Sequence, residues 1–230
     1  MFDRFATLTT PHVADACLRV GIAVRCAPTG LRGLTPGMRI AGRVLPAVHA
    51  GSVDVFLEAV STARPGDVLV ADNGGRLDEA CIGDLAALDA AAGGVTGIVI
   101  WGLHRDSADI AQLGMPLFSL GALPTGPQRL DPRPTGALTA ARVGEWTVTN
   151  EDAVFGDEDG VLFVPLDRVD EVLETAAGIA ATEGRQADLI RGGTSLREQV
   201  RFNDYLAARA ANPDLTFRDH LRGVGGEIEV

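Results

Sequence analysis

Between residues 68 and 121 two kinds of pattern alternate. VLVAD (68–72), GIVIWG (97–102) and PLFSLG (116–121) are short apolar runs, whereas about Asp84 to Ala92 and Ser107 to Leu113 read as helices. A glycine-bearing NGG segment at 73–75 follows the first run as a turn. Strands separated by helices cannot pair through tight hairpins. They pair in parallel, each helix crossing back over the sheet, and this predicts an α/β fold.

The flanking segments fit around such a sheet. TTPHVADACLRVG predicts a helix with Thr10 as N-cap, Pro11 in the first turn, Val13, Ala16, Cys17 and Val20 on one period, and Gly21 closing it. MRIAGRVLPAV reads as strand, and SVDVFLEAVSTA as a helix ending at the turn Arg64–Asp67. LPTGPQRLDPRPTG (123–136) is expected to be a surface loop. Short strands follow over 137–165, with Asp159-Gly160 as a tight turn. LDRVDEVLETAAGIAATEG is an amphipathic helix with Val169, Val172, Leu173, Ala176 and Ile179 on one stripe, and a further helix is expected over about Ser195 to Ala210.

Composition removes several chemistries. All 20 basic residues are arginine, so no amine exists for a Schiff base, a pyridoxal phosphate linkage or a Walker-type phosphate site. A formal charge of -11 with no basic stretch argues against nucleic acid or an anionic membrane as partner. Cys17, Cys26 and Cys81 are widely spaced without a CxxC, which suggests small core residues rather than a disulfide scaffold or a zinc cluster. The N-terminal segment lacks the long apolar core of a signal peptide, and the apolar runs are shorter than a membrane span. A cytoplasmic protein is the expectation.

WGLHRDSAD (101–109) places His104, Arg105, Asp106, Ser107 and Asp109 directly after a strand. Twenty residues separate Asp84 from Arg105, enough for one helix down and one strand back, which returns both to one edge of the sheet. Open α/β sheets bind ligands at the carboxyl ends of their strands. Arg105 suits a planar carboxylate, the first amides of the 84–92 helix suit an anion, and Asp84 and Asp106 offer oxygens to magnesium or manganese. Each residue also has a structural reading. Asp84, Asp106 or Ser107 could cap a helix, Arg105 could be an ion-pair residue, His104 could pack away from the site, and Asp109 could support Arg105 or face solvent.

ARPGDVLVADNGG, ACIGDLAALDAAAGGVTGIVIWGLHRDSAD, MPLFSLG and FGDEDGVLFVP together resemble the RraA-like family over about residues 9 to 180. That family includes the class II 4-hydroxy-4-methyl-2-oxoglutarate and 4-carboxy-4-hydroxy-2-oxoadipate aldolases. Its diagnostic pattern is an acidic residue, twenty residues, Arg-Asp, two residues and another acidic residue, here Asp84, Arg105-Asp106 and Asp109.

The resemblance implies a β/β/α swivelling domain, a homotrimer or dimer of trimers with active sites between subunits, and retro-aldol cleavage of a 4-hydroxy-2-oxoacid to pyruvate. Oxaloacetate decarboxylation is implied as a side activity. Asp106 would ligate a divalent cation, Mg2+ or Mn2+, and Arg105 would hold the pyruvate moiety. Asp84 would orient water at the cation, the amides of Leu85 and Ala86 would receive the carboxylate, and His104 would lie beside the substrate. Glu183 of a neighbour's C-terminal helix would complete the site. Residues 1–180 would form the catalytic domain, and 181–230 a helical extension at a subunit interface.

Leu103-His104 and TNEDAVFG depart from the family's usual residues, the first of them beside the substrate. The family also contains inhibitors of an endoribonuclease, so a regulatory protein docking on a ribonuclease or another partner is the alternative. An older methyltransferase label finds no wider cofactor-binding pattern around the glycines.

Overall fold

The computed structural model describes residues 1–224. In chain order its elements are α1 (Thr10–Arg19), β1 (Arg25–Cys26), β2 (Arg32–Gly33), β3 (Ile40–Val48), α2 (Asp54–Ser61), β4 (Asp67–Asp72) and β5 (Ala80–Ile82). Then come α3 (Asp84–Ala92), β6 (Gly97–Trp101), β7 (Leu103–His104), α4 (Ser107–Leu113), β8 (Leu117–Ser119), β9 (Ala140–Val143) and β10 (Trp146–Thr149). The chain continues with β11 (Asp152–Asp157), β12 (Gly160–Pro165), α5 (Val169–Arg191), α6 (Leu196–Gln199), α7 (Phe202–Ala211) and α8 (Phe217–Val224).

An eight-stranded mixed sheet runs in the order β1-β12-β11-β3-β4-β6-β8-β2. Its middle, β3-β4-β6-β8, is parallel, as the helical crossovers require. The other neighbours are antiparallel. β4 between its terminal aspartates, and β6 throughout, are apolar because both sheet faces are covered. Alternation then sorts the side chains: Leu69, Ala71, Ile98 and Ile100 pack toward α2, α3 and α4. Val68, Val70 and Val99 pack on the opposite face with Phe118, Val154 and Phe163. Farther along the sheet, α1 and α5 cover β11 and β12 through Val13, Cys17, Phe155, Leu162 and the predicted stripe of α5.

Several local expectations are corrected. The N-cap of α1 is Thr9, not Thr10, because Thr9 and His12 close a capping box. Thr10 instead donates from its amide and hydroxyl to Asp157 at the β11–β12 turn, at 2.7 and 2.6 Å. The helix expected over 195–210 is two helices, α6 and α7, broken at Arg201, whose φ of 51° lies in the left-handed region. α5 runs unbroken through position 180 to Arg191, so the extension grows out of the helix that closes the core. No helix among the described residues is long and apolar enough to cross a membrane.

The cysteines also differ from one another. Cys17 and Cys81 are buried, but Cys26 sits exposed on the edge strand β1. Burial pushes the Cys17 thiol up to about 11 and raises Cys81 further. A disulfide reagent at neutral pH is therefore expected to label Cys26 alone in the native protein and all three thiols after denaturation. Fast native labelling of Cys81 would contradict the packing described.

Candidate functional site

β6 ends where Gly102, at φ +154°, lets the backbone pass the Asn73 side chain. The chain then forms β7, which pairs in parallel with β5 in a separate two-stranded ribbon, with Ile82 opposite His104. The Arg105 amide donates to the Ile82 carbonyl at 3.0 Å. This ribbon brings Gly83-Asp84 alongside Arg105-Asp106. The juxtaposition predicted from the twenty-residue spacing is therefore present.

Gly83 is where the two segments nearly touch. A Cβ there would stand 2.4 Å from Asp106 Oδ2 and 3.1 Å from Arg105 Nε. Gly83 is also the N-cap of α3 and makes no side-chain cap. The first helical bond of α3 is from the Ala87 amide to the Gly83 carbonyl, so the amides of Leu85 and Ala86 have no helical partner. They are available to an anion.

Asp106 has φ +60° and ψ +41°, one of two non-glycine residues among those described with positive φ. That conformation costs about 1 kcal/mol or more for most side chains and is least unfavourable for Asn and Asp. Although Asp106 stands at the N-cap of α4, its carboxylate does not cap the helix. Oδ2 instead lies 3.3 Å from Arg105 Nε. Arg105 is half exposed, and the ends of its guanidinium have no partner among the described residues. The half-buried Asp84 likewise makes no side-chain hydrogen bond to a described residue. The capping readings of Asp84 and Asp106 both fall.

Other predicted residues lie differently. His104 is 3% exposed, and its ring nitrogens pair with Ser119 and Ser107 hydroxyls, each at 2.8 Å. Burial lowers its pKa, and it offers no atom to a substrate. The substrate-contact assignment of His104 is thus corrected: it braces the ribbon and the start of α4. Ser107 serves His104, and Asp109 is exposed and does not touch Arg105. Glu183 lies on α5, where it meets His12 at 3.0 Å within the same chain.

Asp84, Arg105, and the Gly83 to Ala86 segment line one cleft of about 250 Å³ together with His49, Val53, Ala80, Cys81, Ile82 and Pro127. The proline-rich loop therefore does more than cover surface. Pro127 forms a wall, a Cβ at Gly126 would come 3.1 Å from Arg105 Nη1, and Arg129 inserts its guanidinium onto buried Glu79 at 2.8 Å. Arg129 also pairs with Asp131. The residues missed from sequence are His49, Asn73, Glu79 and Arg129, a polar chain whose first three members are buried and whose last is half-buried. Their only sequence signal was position: His49 directly follows β3 and Glu79 directly precedes β5.

The NGG segment is a turn and no phosphate cradle. The Asn73 and Gly75 amides are both bonded to the Trp101 carbonyl, and that of Gly74 to the Asp72 carboxylate. Gly75 is required because a Cβ would strike the Trp101 ring at 2.8 Å.

The RraA-like family model, described as Aldolase/RraA, matches residues 10–163. The chain belongs to the RraA-like family. A relative named putative 4-hydroxy-4-methyl-2-oxoglutarate aldolase from Alcanivorax borkumensis is 32% identical over 61% of this chain and 88% of its own length. Protein DlpA of Legionella pneumophila is 30% identical over 89% of this chain, which spans only 34% of DlpA. A crystal structure of an uncharacterized protein from Pseudomonas syringae pv. tomato superimposes with a TM-score of 0.74 at 26% identity, covering 86% of this chain and 94% of that one. The fold is the β/β/α swivelling domain of this family.

Proposed function

We propose that this RraA-like chain is a divalent-metal-dependent lyase that cleaves a 4-hydroxy-2-oxoacid, such as 4-hydroxy-4-methyl-2-oxoglutarate, to pyruvate and a second carbonyl compound. The observation that carries the reading is the unpaired end of Arg105 in one cleft with two free helix amides, beside two carboxylates that cap nothing. The aldolase name of the Alcanivorax relative supports the same chemistry.

The donor set fits a hard cation. Among the described residues no three His, Cys, Asp or Glu side chains gather into a cage. Magnesium and manganese sites commonly use one or two carboxylates and leave other positions to water and substrate. Asp106 would hold the ion, with Asp84 beside it, and Cys81 offers no thiolate because burial raises its pKa. When bound, such a cation supplies positive charge next to a developing enolate.

Arg105 and the Leu85 and Ala86 amides bind the carboxylate end of the substrate. With that end fixed, loss of the C4 hydroxyl proton breaks the C3–C4 bond and leaves the electron pair on the pyruvate enolate. Arg105 stabilises that charge, replacing the iminium sink a lysine would provide. Loss of carbon dioxide from oxaloacetate gives the same enolate, so decarboxylation is expected alongside.

The site is proposed to be completed by Glu183 of a neighbouring subunit in a trimer or dimer of trimers acting in the cytoplasm. Leu85 and Leu88 on α3, 75% and 53% exposed, are an apolar strip at the cleft mouth that such an interface would cover.

The test is pyruvate release from 4-hydroxy-4-methyl-2-oxoglutarate and from oxaloacetate, with Mg2+ or Mn2+ and then with chelator. Turnover of both that chelator abolishes is the expected result. Turnover of neither across a panel of hydroxy-oxoacids would sink the reading and favour a regulatory role.

A further inference from the structure

A chain of buried and half-buried polar groups reaches the cleft from behind. Glu79, with a side chain 4% exposed, accepts from Arg129, and Arg129 Nη2 donates to Asn73 Oδ1 at 3.2 Å. Asn73 Oδ1 also lies 2.9 Å from His49 Nδ1. The His49 ring is 1% exposed and stacks on Phe56 with planes 6° apart, so it cannot turn freely.

The hydrogens follow from chemistry alone. A guanidinium only donates, so the Asn73 atom facing Arg129 is the carbonyl oxygen. The same oxygen faces His49 Nδ1, which must therefore carry a hydrogen. In the neutral ring Nε2 is then the basic nitrogen. Nε2 has no partner among the described residues, while His49 lines the cleft that holds Arg105 and Asp84. Glu79, with Oε1 3.7 Å from Nδ1, sits behind the ring and balances Arg129.

We propose that His49 is the general base of this site, taking the C4 hydroxyl proton of the bound hydroxy-oxoacid on Nε2. The inference rests on the reading of the site as an aldolase. In the step, the O–H bond breaks toward Nε2 and the O–C4 pair forms a carbonyl. The C3–C4 bond breaks with its electrons entering the enolate. The imidazolium afterwards releases its proton to solvent, and C3 takes one from solvent, so the protons balance. Burial, helped by the nearby Arg129 charge, holds the His49 pKa below its ordinary 6.5, outweighing the Asn73 bond and the charges of Glu79 and Asp54. The ring is thus neutral at pH 7 and able to accept.

Oxaloacetate has no C4 hydroxyl, which separates the base from the rest of the site. His49→Gln is expected to lower kcat/KM for hydroxy-oxoacid cleavage about 100-fold or more, the usual worth of a positioned base. Decarboxylation should stay within about threefold of the parent, which also shows that the variant folds. Unchanged cleavage, or equal loss of both activities, would overturn the role of His49 while leaving the aldolase reading standing. A parent protein that turns over neither substrate would remove both. Independently of any variant, 15N shifts of the imidazoles should show His49 protonated at Nδ1 and bare at Nε2. The opposite tautomer would overturn the proposal.

Discussion

Arg105→Ala is expected to reduce pyruvate formation from hydroxy-oxoacid and from oxaloacetate together, by about 1,000-fold in kcat/KM, with little change in stability. Both parts follow from where the side chain lies. It is 48% exposed, and its one close charge partner among the described residues is Asp106, through Nε at 3.3 Å. Little packing is lost on truncation, and exposed ion pairs contribute about 1 kcal/mol or less. The free guanidinium end, by contrast, offers parallel donors to a carboxylate and to the enolate that grows beside it. Removing a donor aimed at developing negative charge typically costs 100- to 1,000-fold. Arg105→Lys should recover only part of this, since an ammonium is a point charge without the fork. Steady-state kinetics with both substrates, beside a thermal melt, check the claim. Activity within about tenfold of the parent would remove Arg105 from the substrate-binding role.

The parallel middle of the sheet was legible because helices between apolar runs leave few alternatives. The α5 stripe was legible because five apolar residues keep one helical period. The meeting of Asp84 with Arg105 and Asp106 was legible as chain length. What escaped detection depends on contacts between distant segments. Thr10 looks like an N-cap, but Asp157 on β11 claims it, and the cap falls to Thr9. The proline-rich loop looks like surface until Arg129 finds Glu79 across 50 residues. His49 is one residue past β3, and only the Asn73–Arg129 pairing gives its nitrogens distinct roles. His104 misled in the other direction. Its place beside Arg105 suggested the substrate, but β7 is buried at both of its residues and the ring is held between the Ser119 and Ser107 hydroxyls.

Gly83→Ala should impair catalysis far more than folding. Gly83 has φ −124° and ψ −169°, ordinary extended values, so alanine suffers no backbone strain. The obstacle is what the new methyl group meets: Asp106 Oδ2 at 2.4 Å, Arg105 Nε at 3.1 Å and Arg105 Cγ at 3.2 Å. These are movable side chains, not backbone, so the chain can relax by swinging them aside. Those two side chains are the ones proposed to hold the cation and the carboxylate. A displacement of about 1 Å in a catalytic group costs on the order of 100-fold. The expected outcome is therefore a drop of about that size in kcat/KM, with a stability change of about 1 kcal/mol or less. Gly178→Ala is the matched control. It lies inside α5, where an added Cβ meets nothing within 4 Å. There the substitution should raise stability by about 1 kcal/mol through helix propensity and leave turnover unchanged. If Gly83→Ala kept full activity, Asp106 and Arg105 could not be working from the positions they hold against that glycine.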